Sequence, residues 1–176
     1  LPINATPAAF AEAFAMLEAP AAPRWADATA RLHAAYLEWS TPPKSGPGKV
    51  HMGPIMEHIE ATVPEDAIFT NGAGNFATWL HRFHRFRRFN TQAAPTSGSM
   101  GYGVPAGVAA KNLFPDREVF VFAGDGDFLM NGQELATASQ HGARTIVGLL
   151  NNGMYGTIRM HQEREYPRGA SGTAIC

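Results

Sequence analysis

The sequence predicts an α/β fold: a parallel sheet flanked by helices, incomplete at its C-terminus. Three observations carry this. Val119 to Ala123 (VFVFA) is rich in β-branched and aromatic residues and stops at Gly124-Asp125-Gly126. Thr145 to Leu150 (TIVGLL) is a second such run, stopped by Asn151-Asn152-Gly153. Short apolar runs ended by glycine read as buried strands. Between them, Asn131 to His141 has a helical pattern, with Leu135, Ala136 and Ala138 inward and Gly142 as its C-cap. Strand, helix and strand within about 30 residues form a βαβ unit, with parallel strands and a right-handed crossover.

The elements before this unit follow in order. Thr6 is a fair N-cap for a helix opened by Pro7, with Phe10, Phe14 and Leu17 on one face; Pro20 and Pro23 end it. A second amphipathic helix carries Trp25, Ala28, Leu32, Tyr36 and Trp39 on one face. That aromatic stripe is expected to bury against something outside the segment. Thr41 to Gly48 (TPPKSGPG) is a linker by composition. Val50 to Val63 reads as a helix with Met52, Ile55, Met56 and Ile59 inward, and Pro64-Glu65-Asp66 as a turn. Ala67 to Thr70 reads as a strand. Trp79 to Phe89 (WLHRFHRFRRF) reads as a half-buried helix, with Trp79, Leu80, Phe83 and Phe86 inward, the arginines outward, and His81 and His84 on the surface. Ala94 to Gly107 is a loop that passes into a helix near Val104 to Leu113.

Composition excludes several classes. The chain has 176 residues, 45% apolar and 16% charged, with a net charge of −1. Such a balance gives no bulk attraction to nucleic acid or to an anionic membrane, despite Arg82, Arg85, Arg87 and Arg88. No apolar run reaches the roughly 18 residues of a membrane span, and no signal peptide is legible. The lone cysteine, Cys176, cannot pair internally, which fits a reducing, cytoplasmic setting. Both ends are expected to be cuts in a longer chain.

Parallel strands deliver Asp125 and Asn152 to the same sheet edge, where ligands of open α/β sheets sit. A carboxylate and an amide oxygen beside glycine-rich backbone suit Mg²⁺, which takes oxygen ligands and usually shares its sphere with phosphates. Loop amides at a helix N-terminus suit the phosphates themselves. The residues therefore point to a Mg²⁺-diphosphate site. Gly72 to Ala77 (GAGNFA) also matches a dinucleotide fingerprint, which needs an acid about 20 residues on. No Asp or Glu occurs from Ala67 to Pro115. A second phosphate-approaching loop is the preferred reading, and a nicotinamide-dependent oxidoreductase the disfavoured one.

GDG, then 24 residues (127–150), then NN resembles the cofactor fingerprint of thiamine-diphosphate enzymes. The wider text SGSMGYGVPAG, GDGDFLMNGQELATA and LLNNGMYGTIR is similar to the acetolactate synthase and benzoylformate decarboxylase group. The resemblance runs from Val50 to Cys176 and implies thiamine diphosphate and Mg²⁺ as cofactors. It implies Asp125, Asn152 and the Met154 carbonyl as metal ligands, and backbone at Gly98 and Met100 on the aminopyrimidine with the Met100 side chain as a wedge. It places Asn75, Gly124, Gly126, Asp127, Asn152, Met154 and Tyr155 around the cofactor, with Tyr155, Ile158 and Gln162 shaping the substrate pocket.

The resemblance further implies that residues 1–22 are the tail of a central domain, 23–49 a helix and linker, and 50–176 a partial cofactor domain. No catalytic residue falls in this chain, because the activating glutamate comes from a missing domain on a second subunit. A homodimer or homotetramer acting on a 2-keto acid is expected, with decarboxylation and acyl transfer as the reaction. A benzoylformate-type decarboxylase and a noncatalytic Mg²⁺-diphosphate-binding module are the alternatives. Two departures stand out. Phe76 replaces a polar donor, and Asp127 stands where a small residue is commoner. A second carboxylate beside phosphate costs about 1 kcal/mol or more, so the Asp127 side chain is expected to cap the following helix.

Overall fold

A computed structural model of the chain describes residues 2–167 and 169–175. Cys176 thus lies outside the described residues. The chain divides between Ser40 and Thr41 into two units. The first holds α1 (Pro7–Ala15) and α2 (Ala26–Trp39). The Thr6 side chain caps α1 by accepting from the Ala9 N–H at 3.2 Å. Phe10, Phe14, Leu17, Trp25, Leu32, Tyr36 and Trp39 are all exposed.

The second unit carries the sheet. Its elements are α3 (Met52–Thr62), β1 (Ile68–Asn71), α4 (Ala77–Phe83), β2 (Gln92–Ala93), α5 (Gly103–Leu113), β3 (Val119–Gly124), α6 (Asp125–Asn131), α7 (Glu134–His141), β4 (Ile146–Leu150) and α8 (Gly156–Glu165). Among the described residues the sheet has the order β2-β1-β3-β4, all parallel. Phe69 pairs with Gln92 on one side and with Phe120 on the other, and Val121 pairs with Val147. The chain steps outward from β1 to β2, then returns across β1 to β3. The strand order therefore reverses beside β1, and the crevice at such a reversal is where open α/β sheets bind ligands.

Alternation along the strands sends side chains to both faces. Phe69 and Phe122 pack with Met56 of α3 and with Leu80 and Phe83 of α4. Val121 lies against Gly107 of α5, where any Cβ would strike its side chain. Thr70 Oγ1 donates to the Gly103 carbonyl at 2.8 Å, fastening the start of α5 to β1. Gly142 ends α7 in the left-handed region at φ 64°, the C-cap expected from the sequence.

Several expectations need correction. Helix begins at Asp125, directly off β3, and breaks at Gly132 and Gln133 before α7. Of the three residues expected inward, only Ala138 is buried; Leu135 and Ala136 are exposed. Ile55 of α3 is exposed as well. The aromatic-basic helix stops at Phe83, and His84 turns extended at ψ 136°. His84 is not a surface histidine: its side chain is 12% exposed, 3.0 Å from Glu60 Oε2. Its ring lies 4.3 Å from that of Phe69. The pull of that pocket explains the early helix end.

Burial pushes the His84 pKa below its ordinary value; Glu60 opposes this and Arg87 adds to it. The folded chain thus resists a proton that the unfolded chain accepts. Stability should fall as the pH drops below about 6.5, the ordinary histidine value, and should level off below the folded-state pKa. Chemical denaturation of His84→Gln across this range should show that slope flattened; an unchanged slope would assign it to other groups.

Candidate functional site

A cavity of about 220 Å³ opens at the carboxyl edge of the sheet. Its walls come from the loops that follow β1 and β4, the first turns of α6 and α8, and the Gly98–Met100 loop. Every residue singled out for metal or cofactor lines it: Asn75, Gly98, Met100, Gly124, Asp125, Gly126, Asp127, Asn152, Met154 and Tyr155. Phe76, Leu150 and Ile158 add an apolar wall. Gln162 is not part of it. Its amide exchanges two 3.1 Å hydrogen bonds with the Ser171 backbone and ties down the segment beyond α8.

Asp125 and the asparagine loop meet. Asp125, 9% exposed, accepts from the Gly153 N–H through Oδ2 at 2.8 Å. Asn152 Oδ1 accepts from the Met154 N–H at 3.1 Å, and the Met154 carbonyl from the Gly156 N–H at 2.9 Å. All three residues line the cavity. No group of three or more His, Cys, Asp or Glu converges among the described residues. The donors are one carboxylate, one amide and one carbonyl, an oxygen set that fits Mg²⁺ and leaves positive charge for a phosphate ligand to neutralise. The first amides of α6, which have no partner within the helix, begin at the same cavity. Backbone approach is close here: a Cβ on Gly124 would lie 2.8 Å from the Phe76 ring, and one on Gly126 would lie 2.5 Å from the Tyr155 ring.

Asp127 does not cap the following helix: it lies inside α6, and neither that helix nor α7 has a side-chain cap. The Asp127 carboxyl, on a residue 2% exposed, instead accepts from the Gly101 N–H through Oδ1 at 2.7 Å. Burial pushes its pKa above the ordinary value, against the smaller pull of the Gly101 and Ala73 amides. A sequence reading weighs it only against neighbours along the chain, whereas its partner lies 26 residues away. Two further residues escaped that reading. Thr157 lines the cavity and accepts from the Asn75 N–H at 3.2 Å, joining the first loop to α8. Asn131 donates to the Gly101 carbonyl at 2.8 Å. The segment beyond α8 returns to the rim, where Ala174 bridges Met154 in antiparallel fashion.

Residues 72–175 match the model of the C-terminal thiamine-pyrophosphate-binding domain of thiamine pyrophosphate enzymes. The chain belongs to this family. Within it, the chain is 37% identical over 122 residues to the acetolactate synthase large subunit of Corynebacterium glutamicum, which covers 69% of this chain and 20% of that protein. It is 34% identical over 130 residues to the isozyme 1 large subunit of acetolactate synthase from Escherichia coli, covering 72% and 23%. A solved structure of the thiamine diphosphate-dependent 4-hydroxybenzoylformate decarboxylase of Rhodococcus jostii RHA1 superposes with a TM-score of 0.68 at 26% identity, over 76% of this chain and 25% of that one. This member of the thiamine pyrophosphate family thus spans about a fifth of the length of the curated relatives (20% and 23%). No described helix is long and apolar enough to cross a membrane.

Proposed function

We propose that this chain is the cofactor-holding part of a cytoplasmic, thiamine-diphosphate- and Mg²⁺-dependent enzyme. That enzyme decarboxylates a 2-keto acid and transfers the resulting acyl unit, as an acetolactate synthase does. The observation that carries the reading is the meeting of Asp125 with the 151–154 loop in a cavity at the strand-order reversal. The two acetolactate synthase relatives, at 37% and 34% identity, favour acyl transfer.

Asp125, Asn152 and the Met154 carbonyl would hold Mg²⁺. Backbone at Gly124, Gly126 and Asp127, with Asn75, would hold the diphosphate. Gly98, Met100 and Tyr155 would orient the rings. Bound thiamine diphosphate supplies the carbanion chemistry needed to release carbon dioxide from a 2-keto acid. The protein's own contribution is orientation, charge neutralisation and an apolar wall of Phe76, Leu150 and Ile158 that limits water. The rest of the same enzyme and a second subunit, in a homodimer or homotetramer, would complete the site, leaving this chain inactive alone.

A decarboxylase of the benzoylformate type is the second reading. The structural neighbour of that activity and the aromatic side of the cavity, Phe76 and Tyr155, favour it. Calorimetric titration of the full-length enzyme with thiamine diphosphate, with and without Mg²⁺ and with NAD as control, tests the cofactor. Metal-dependent uptake supports the proposal, whereas NAD uptake without metal overturns it. Pyruvate and benzoylformate turnover then separates the two reactions, since acyl transfer yields a carboligated product and simple decarboxylation an aldehyde.

A further inference from the structure

The α6 helix grips one residue of a distant loop from both sides. Asp127 and Asn131 lie four apart on α6 and so share a face. Asp127 Oδ1 takes the Gly101 N–H at 2.7 Å, and Asn131 Nδ2 donates to the Gly101 carbonyl at 2.8 Å. Gly101 holds φ 79°, a left-handed conformation that glycine adopts freely. A Cβ there would lie 2.7 Å from Asn131 Nδ2 and 2.9 Å from the Met130 side chain. The Asp127 carboxyl also abuts the loop after β1, where a Cβ on Gly72 would collide with both of its oxygens. Asp127 Oδ2 is buried, and the Ala73 amide of that loop steadies the charged carboxyl.

We propose that Asp127 and Asn131 are positioning residues, a two-point clamp on Gly101 that holds the 98–101 loop against the helix whose first residue is Asp125. Met100 adjoins Gly101 and lines the cavity. The clamp therefore sets how far Met100 reaches into the site, and it links the metal rim to the loop that would orient the cofactor ring. This rests on the cofactor reading above only for what the loop orients; the clamp itself is a property of the chain's own hydrogen bonds.

The test uses the full-length enzyme and the variants Asn131→Ala, Asp127→Ala and Asp127→Asn. Hydrogen exchange is measured without cofactor, and KM for thiamine diphosphate is measured separately from kcat. Asn131→Ala and Asp127→Ala should each speed exchange across residues 98–102 about tenfold, as expected for one lost hydrogen bond, and leave β1 and β3 amides unchanged. KM for the cofactor should rise by a similar factor, with kcat at saturation falling less. Asp127→Asn, which keeps an acceptor for Gly101, should restore slow exchange. Unchanged loop exchange in Asn131→Ala overturns the clamp. So does exchange that rises equally in the loop and the strands, or an Asp127→Asn variant as loose as Asp127→Ala. Failure of the cofactor reading would show separately, as an unmodified enzyme that takes up no thiamine diphosphate, with the exchange result still deciding the clamp.

Discussion

Asp125→Ala is expected to weaken Mg²⁺-dependent uptake of thiamine diphosphate by at least about 100-fold. That is the upper range seen when mere supports of metal ligands are removed, and Asp125 would be a ligand itself. Asp125 would be the one charged ligand among the three proposed. Asn152 and Met154 contribute neutral oxygens already shared with backbone amides. Without the charge, Mg²⁺ would rely on phosphate alone. Folding should suffer far less. The lost contact is one hydrogen bond from the Gly153 N–H, and such a bond to a charged group contributes about 1.5–3 kcal/mol. Asp125→Asn should keep the bond and fall between parent and alanine variant in affinity. Titration calorimetry and urea denaturation on the same samples separate the two effects. Affinity in Asp125→Ala equal to the parent would remove the metal assignment.

Phe69→Ala should carry the largest cost in stability, about 3–5 kcal/mol, the range for deleting a large buried aromatic. Phe69 is 1% exposed at the centre of β1. Its ring lies 5.3 Å from Phe120, 6.3 Å from Phe122 and 6.0 Å from Phe86, besides its contact with His84. Four rings drawn from β3 and the stretch after α4 cannot all move inward to fill the gap, because two of them are fixed by sheet pairing. Urea denaturation gives the number. A loss under about 1.5 kcal/mol would mean that the site collapses as readily as after a volume-conserving swap.

The parts of this molecule that announce themselves do so through local chemistry. VFVFAG and TIVGLL are strands on any reading, because β-branched residues run until a glycine stops them. Once both are strands of one parallel sheet, Asp125 and Asn152 must share an edge. β2 is different. Gln92 and Ala93 have no strand composition, yet they pair with Phe69 and Thr70 of β1, partners more than 20 residues away. The end of α4 was equally hidden, since the aromatic pattern continues to Phe86 while His84 leaves the helix to reach Phe69 and Glu60. Asp127 illustrates the limit at the site. Its sequence neighbours suggest a cap, yet loops far away in the chain claim its carboxyl.

The all-parallel ladder has a kinetic corollary. Among the described residues no two paired strands are joined by a hairpin, so each pairing must close a long loop before it gains anything, and chains of such topology reach their native state slowly. The rim residues, contributed by stretches from Asn75 to Tyr155, come together only after the last of those closures. A cofactor that recognises them would find no foothold on partly assembled chains. It would bind the finished state alone and shift the equilibrium by mass action, raising the melting temperature with its concentration while leaving the refolding rate untouched.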